Sequence, residues 1–182
     1  FGSFNTRKHT LSFGTGLHNN FEMNGRISNI ASDGFIDRAT SNMFGYFFNA
    51  NYVKESTLIK FLAFGGKEKT YQAWYGIEDP EKLRNDRTFN PAGMYFDEFG
   101  NMKFYNNETD NYWQNHFQLH WTEKWSEKWI SNAALHYTIG KGYFEQYKED
   151  ADLTDYNLPA FNGNSISDLV RKRWLDNDFF GA

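Results

Sequence analysis

The stretch "TDNYWQNHFQLHW", residues 109–121, alternates strictly from Trp113 onward. Trp113, Asn115, Phe117, Leu119 and Trp121 form one row; Tyr112, Gln114, His116, Gln118 and His120 form the other. Successive side chains of a strand point to opposite faces, so a period of two predicts a strand between an apolar and a wet environment. A half-buried soluble sheet has that pattern. So does a strand of an outer-membrane barrel, whose outward row meets lipid and whose inward row meets water or a plug. By itself the stretch leaves both open.

Neighbouring segments repeat the signal. Residues 9–17 set Leu11, Phe13 and Leu17 against Thr10 and Ser12. Residues 21–29 set Phe21, Met23, Gly25 and Ile27 against Glu22, Asn24, Arg26 and Ser28. Residues 44–53 set Phe44, Tyr46, Phe48, Ala50 and Tyr52 against Gly45, Phe47, Asn49 and Asn51. Residues 57–66 are apolar on both rows except Lys60, with Ile59, Phe61 and Ala63 assigned to the greasy side. Residues 129–140 set Trp129, Ala133, Leu135, Tyr137 and Ile139 against Asn132, His136 and Thr138. A seventh strand is expected to begin near Trp174.

The connections alternate short and long. Residues 18–20, 54–56 and 122–128 are short; residues 30–43, 67–108 and 141–173 are long. Short turns at one end and long loops at the other are the habit of an outer-membrane barrel, with short periplasmic turns and long extracellular loops. Trp121, Trp125, Trp129 and Tyr52 gather at the turn end, where an interfacial aromatic girdle belongs. The fold class expected is therefore all-β, an antiparallel transmembrane β-barrel segment of about six or seven strands. Phe21, Met23, Ile27, Trp113, Phe117, Leu119, Trp121, Ala133, Leu135 and Tyr137 are assigned to lipid. Glu22, Asn24, Arg26, Gln114, His116, Gln118, Asn132 and His136 are assigned to the lumen.

Composition excludes other classes. A net charge of −4 argues against general nucleic-acid binding. The absence of cysteine rules out a disulfide framework and thiolate metal sites. Both termini, "FGSFNTRKHT" and "DNDFFGA", read as the interior of a longer barrel domain.

Five stretches resemble the barrel of TonB-dependent outer-membrane receptors of the Bacteroidetes type: "GRISNIASDGFIDRATS" (25–41), "TLIKFLAFGGKEKTYQAWYGI" (57–77), "NDRTFNPAGMYFDEFGN" (85–101), "ETDNYWQNHFQLHW" (108–121) and "GKGYFEQYKEDADL" (140–153). The resemblance implies a barrel of about 22 strands around a plug, with residues 1–182 forming part of the wall and the plug lying outside them. It implies partners: outer-membrane lipid, the TonB complex acting through the plug, and a small nutrient ligand. A ferric siderophore-like chelate is favoured. Carbohydrate or peptide uptake with a surface lipoprotein is the alternative within the family, and a soluble carbohydrate-binding β-sandwich is the alternative outside it.

Ligand contact is expected in the long loop at Tyr71, Trp74, Tyr75, Arg84, Arg87, Tyr95 and Phe96, since aromatic faces stack on flat ligands and guanidinium groups pair with anionic oxygens. Phe89, Phe99, Phe104 and Tyr105 crowd the same loop, and a small loop core is the competing use of these rings. "EDPEKLRND" (78–86) predicts a short helix capped by Asp79, with Pro80 at its first position.

His116 and His120 lie about 13 Å apart along a strand, too far to share a metal ion; His136 is the expected diagonal neighbour of His116. "EQYKEDADLTDY" (145–156) lacks calcium-loop spacing and is expected to be a solvated acidic loop. "VRKRW" (170–174) reads as a compact basic cluster able to attract an anionic chelate or lipopolysaccharide phosphates. Asp37 and Arg38 are given a turn role. No nucleophile–base pairing or carboxylate pair stands out, so neither an enzyme, a cofactor nor a metal is expected; an outer-membrane phospholipase or protease is disfavoured for that reason.

Overall fold

A computed structural model describes residues 1–181. In chain order the elements are β1 (Arg7–Gly14), β2 (Phe21–Ser32), β3 (Ser41–Lys54), β4 (Thr57–Tyr71), α1 (Pro80–Asn85), β5 (Met94–Phe96), β6 (Met102–Phe104), β7 (Thr109–Lys124), β8 (Ile130–Asp152), a 3-10 turn at Leu153–Tyr156, and β9 (Ile166–Gly181). Seven strands make one antiparallel sheet in the order β1-β2-β3-β4-β7-β8-β9, and β5-β6 form a separate hairpin. The sheet is an open meander: β1 and β9 are its two edges, and the described residues do not close a barrel.

The register carries the alternation across the whole sheet. Cross-strand partners share a face. One row runs Phe13, Gly25, Phe48, Ala63, Phe117, Tyr137, Phe180. The next, nearer the short turns, runs Met23, Ala50, Phe61, Leu119, Leu135, and the last runs Phe21, Tyr52, Ile59, Trp121, Ala133. The opposite face carries Asn24, Asn49, Leu62, Gln118, His136 in one row and Arg26, Phe47, Phe64, His116, Thr138 in another. Every residue assigned above to the greasy set from 21 to 137 thus lies on one face except Trp129, which sits in the turn before β8, and every polar-set residue lies on the other.

That apolar face has no covering layer. Among the described residues the buried hydrophobics are Ala63, Tyr71, Ala92 and Leu153. Three of these four sit at the loop end, so dense packing is found in the loops and not against the band.

The turns follow local chemistry. Asn19 and Asn20, at φ 48° and 69°, close the β1–β2 connection between His18 and Phe21. Asparagine tolerates this left-handed region, which matches the strand twist. Glu55 and Ser56 alone join β3 to β4, with Glu55 at φ 41°.

Three expectations change. Leu17 is not on β1, which ends at Gly14. Residues 141–152, expected as loop, continue β8, and β9 begins at Ile166, well before Trp174. Each residue of that segment pairs across β8–β9 except at a bulge between Lys148 and Ala151, where Asp150 takes φ 47°. Finally, the long loop after β4 holds the β5–β6 hairpin besides the helix α1 that its sequence predicts.

Candidate functional site

The loop end of the sheet is a built platform. Asn90 is its clamp, only 1% exposed. Its amide donates to Asp37 O at 3.0 Å and Gln72 O at 2.9 Å, and its Oδ1 accepts from Ala92 N at 3.0 Å. Arg38 donates to Asn90 O and lays its guanidinium 3.6 Å from the Phe104 ring centre. Asp37 and Arg38 thus join the β2–β3 loop (33–40) to the β4–β7 loop, beyond the turn role expected of them. Tyr71 is buried, its hydroxyl 2.7 Å from Tyr105 O and 3.1 Å from Ala92 O. Gly93 makes that approach possible: its φ is 70°, and a Cβ there would meet Tyr71 Oη at 2.7 Å.

Two buried carboxylates organise the side facing β8. Glu145 accepts from the Tyr105 hydroxyl and lies 3.0 Å from Lys172 Nζ. Burial pushes its carboxyl up, but the Tyr105 and Asn107 donors and the Lys172 ammonium outweigh this and leave it below its ordinary value. Tyr105 is pushed up to about 12, by burial first and then by Glu145. Glu108 accepts from Tyr147 N at 2.9 Å, yet burial raises it. A polar chain runs from Gln72 through Gln146 to Arg171, whose Nη2 donates to Gln146 Oε1 at 2.6 Å. The Tyr147 ring stands between Tyr95 and Tyr105, with centres 4.6 and 5.7 Å away. Phe96 N donates to Glu149 Oε1 at 2.9 Å, tying the β5–β6 hairpin to β8.

Between α1, the β5–β6 hairpin and β8 opens a cavity of about 660 Å³, a size that suits a small-molecule ligand. Its wall includes Tyr75, Ile77, Lys82, Phe89, Met94, Met102, Glu108, Tyr147 and Lys148. Rings and thioethers supply contact area; two ammonium groups and a buried carboxyl supply polar contacts. Lys82 sits 3.9 Å over the Phe89 ring.

Of the seven residues expected to touch ligand, the fold brings only Tyr75 to this wall. Tyr71 is spent on two carbonyls, and Tyr95 packs on Tyr147. Trp74, 70% exposed, donates to Gln72 Oε1 at 3.2 Å. Arg84 and Arg87 are exposed and lie outside the lining, as does Phe96. Tyr147 and Lys148 lie in a segment that reads as acidic loop, and neither row of "YFEQY" (143–147) is wholly apolar, so the period of two does not mark it. The helix forms as its sequence predicts, with Asp79 accepting from Glu81 N at 2.8 Å.

The polar face has its own small cluster. His116 Nδ1 and His136 Nε2 lie 2.8 and 2.6 Å from Thr138 Oγ1, with their rings stacked 6.2 Å apart. The diagonal neighbourhood expected of the two histidines is present. His120 instead contacts Gln118 Oε1 at 3.1 Å.

Compared with family models, with curated proteins and with solved structures, the chain matches none.

Proposed function

We propose that the chain is a wall segment of a TonB-dependent receptor barrel in a bacterial outer membrane, serving uptake of a scarce nutrient. The observation that carries this reading is the uncovered apolar band. A soluble sheet hides its apolar face beneath a second layer; here Leu119 is 41%, Leu135 45% and Phe180 64% exposed. A bilayer would cover the band, and further strands would pair the open edges of β1 and β9. From Trp113 to Trp121 the strand runs about 27 Å at roughly 3.4 Å per residue. Tilted by about 40°, that is roughly 21 Å of height, close to the ~25 Å apolar band of such barrels. Trp113 and Trp121 then mark the two interfaces, and Phe117 lies midway.

In this reading the long connections are extracellular and the cavity beside Tyr75 receives the ligand. The resemblance favours a ferric chelate. The polar face, with Arg26, Gln114 and His116, meets water and the plug. The platform holds its loops by hydrogen bonds to backbone, which suits a preformed binding surface.

Single-tryptophan variants of the whole barrel test the membrane reading in vesicles with brominated acyl chains. Trp121 should be quenched and Trp74 spared. An unquenched Trp121 would place the band in a water-soluble interior, as in a carbohydrate-binding sandwich, and end the proposal. Uptake is tested by growth on a ferric chelate as sole iron source, which should require both this gene and TonB.

A further inference from the structure

At the loop-side edge of the apolar face the rows change character. One row runs Phe44, Lys67, Trp113, Lys141, Asp176; the next runs Asn42, Lys69, Asn111, Tyr143, Trp174. Lys67 and Lys141 therefore flank Trp113 on its two neighbouring strands. Tyr143 and Trp174 pack with ring centres 4.5 Å apart, and Lys141 Nζ lies 5.4 Å from the Trp174 ring centre. These side chains frame a pocket of about 320 Å³ that opens sideways, on the sheet face away from the polar rows.

We propose that this pocket, framed by Lys67, Lys141, Trp113, Tyr143 and Trp174, holds the phosphate of a lipid headgroup in the outer leaflet. The inference rests on the receptor-wall reading, because only then does this face meet lipid. The charges are available. Among the described residues Lys67 makes no ion pair. Lys141 meets Asp176 at 3.5 Å, but both side chains are about half exposed or more, and such a surface pair is weak enough for a phosphate to displace. Lys69 donates to Asn107 Oδ1, and Lys172 is committed to Glu145, so neither is needed by the site. Height fits as well. Amphipathic rings settle at the headgroup level, and lysines there reach anionic phosphates while their stems lie on apolar surface. The "VRKRW" cluster does not supply this site as a unit, because the period of two sends Lys172 to one face and Arg171 and Arg173 to the other.

Native mass spectrometry of the whole barrel in zwitterionic micelles tests the site, titrated with diphosphorylated lipid A, its dephosphorylated form and inorganic phosphate. The diphosphorylated lipid should bind at least about ten-fold more tightly than the dephosphorylated one. Lys67→Gln with Lys141→Gln should weaken it roughly 25-fold, at roughly five-fold per lysine, while Lys128→Gln in the distant β7–β8 turn changes nothing. Equal binding of the two lipids overturns the proposal without recourse to any variant. So does unchanged affinity in a double variant whose heat-modifiable gel mobility shows a folded barrel, or displacement of lipid by equimolar inorganic phosphate. Quenching of Trp121 by brominated lipid separates the failures: if it persists, only the headgroup site falls; if it is absent, the wall reading falls with it.

Discussion

Gly65 lies between Tyr46 and Asn115 in the register, and Tyr46 Oη reaches across it to donate to Asn115 Oδ1 at 2.8 Å. A Cβ at Gly65 would come within 2.6 Å of that oxygen. The oxygen of the one amide in the greasy row of "WQNHFQLHW" is thereby paired, which lowers its cost in an apolar surrounding. On the opposite face Tyr112 covers Gly140, whose Cβ would meet Tyr112 Oη at 2.6 Å, and the same hydroxyl accepts from Asn177 at 3.2 Å. At this scale the facing of side chains is testable. If the sheet is the proposed barrel wall, Phe117→Arg should destabilise it by about 2–4 kcal/mol near the bilayer midplane, and Gln114→Arg by much less; denaturant unfolding in vesicles measures both, and equal costs would contradict the facing. The two buried carboxylates make an opposed pair. Glu145 is held below its ordinary 4.5, so its contribution is present above that pH and lost as pH falls through the lowered value. Lys172 is raised above 10.5 by Glu145, so its contribution is present below that pH and lost as pH rises through the raised value. Glu108 is raised by burial, so its ionisation opposes packing above its raised value and the penalty lifts in acid. Glu145→Gln should therefore speed hydrogen exchange over residues 102–108 at neutral pH, whereas Glu108→Gln should slow it or leave it unchanged. Neither shift was legible beforehand, since Glu145 reaches Tyr105 and Lys172, and Glu108 reaches Tyr147 N, only between segments far apart in the chain.

Elements were read with uneven success, for physical reasons. Strands 2, 3, 5 and 6 of the reading are present because their period of two marks them, and the fourth, apolar on both rows except Lys60, is present because β3 and β7 pair it on both sides. The ends differ because a strand continues as long as a partner offers hydrogen bonds, and β8 and β9 pair through polar sequence that alternation does not mark. "VRKRW" looked like a patch for the same reason: proximity along a strand separates side chains as often as it joins them. The helix α1 was legible because its signal is local, a cap and a proline within three residues. Asp79→Ala should remove about 1 kcal/mol from it, read as faster amide exchange at residues 81–85 with little change in the β7 amides. Loss of exchange protection in β7 as well would mean that α1 supports the sheet.

For the whole molecule, an open sheet with an uncovered apolar face and two unpaired edges should not stay monomeric in water. Residues 1–182 refolded without detergent should sediment as aggregates, and with detergent should remain dispersed and rich in strand by circular dichroism; a compact soluble monomer would count against the membrane assignment. The ligand residues show where sequence reading stops. Tyr71, Trp74, Tyr75 and Tyr95 fall in one stretch of sequence, yet whether a ring faces a cavity, a carbonyl or solvent depends on how the loop after β4 folds against β8. The sequence alone determined the two-faced character of β2, β3, β7 and the first half of β8, the antiparallel order that short turns enforce, and the helix cap, because these rest on side-chain period and local backbone chemistry. Only the tertiary structure decided which rings line the cavity, that Lys67 and Lys141 flank Trp113, and that Glu145 has an ion-pair partner while Glu108 has none, because those facts come from contacts between segments whose separation in the chain carries no record of their distance in space.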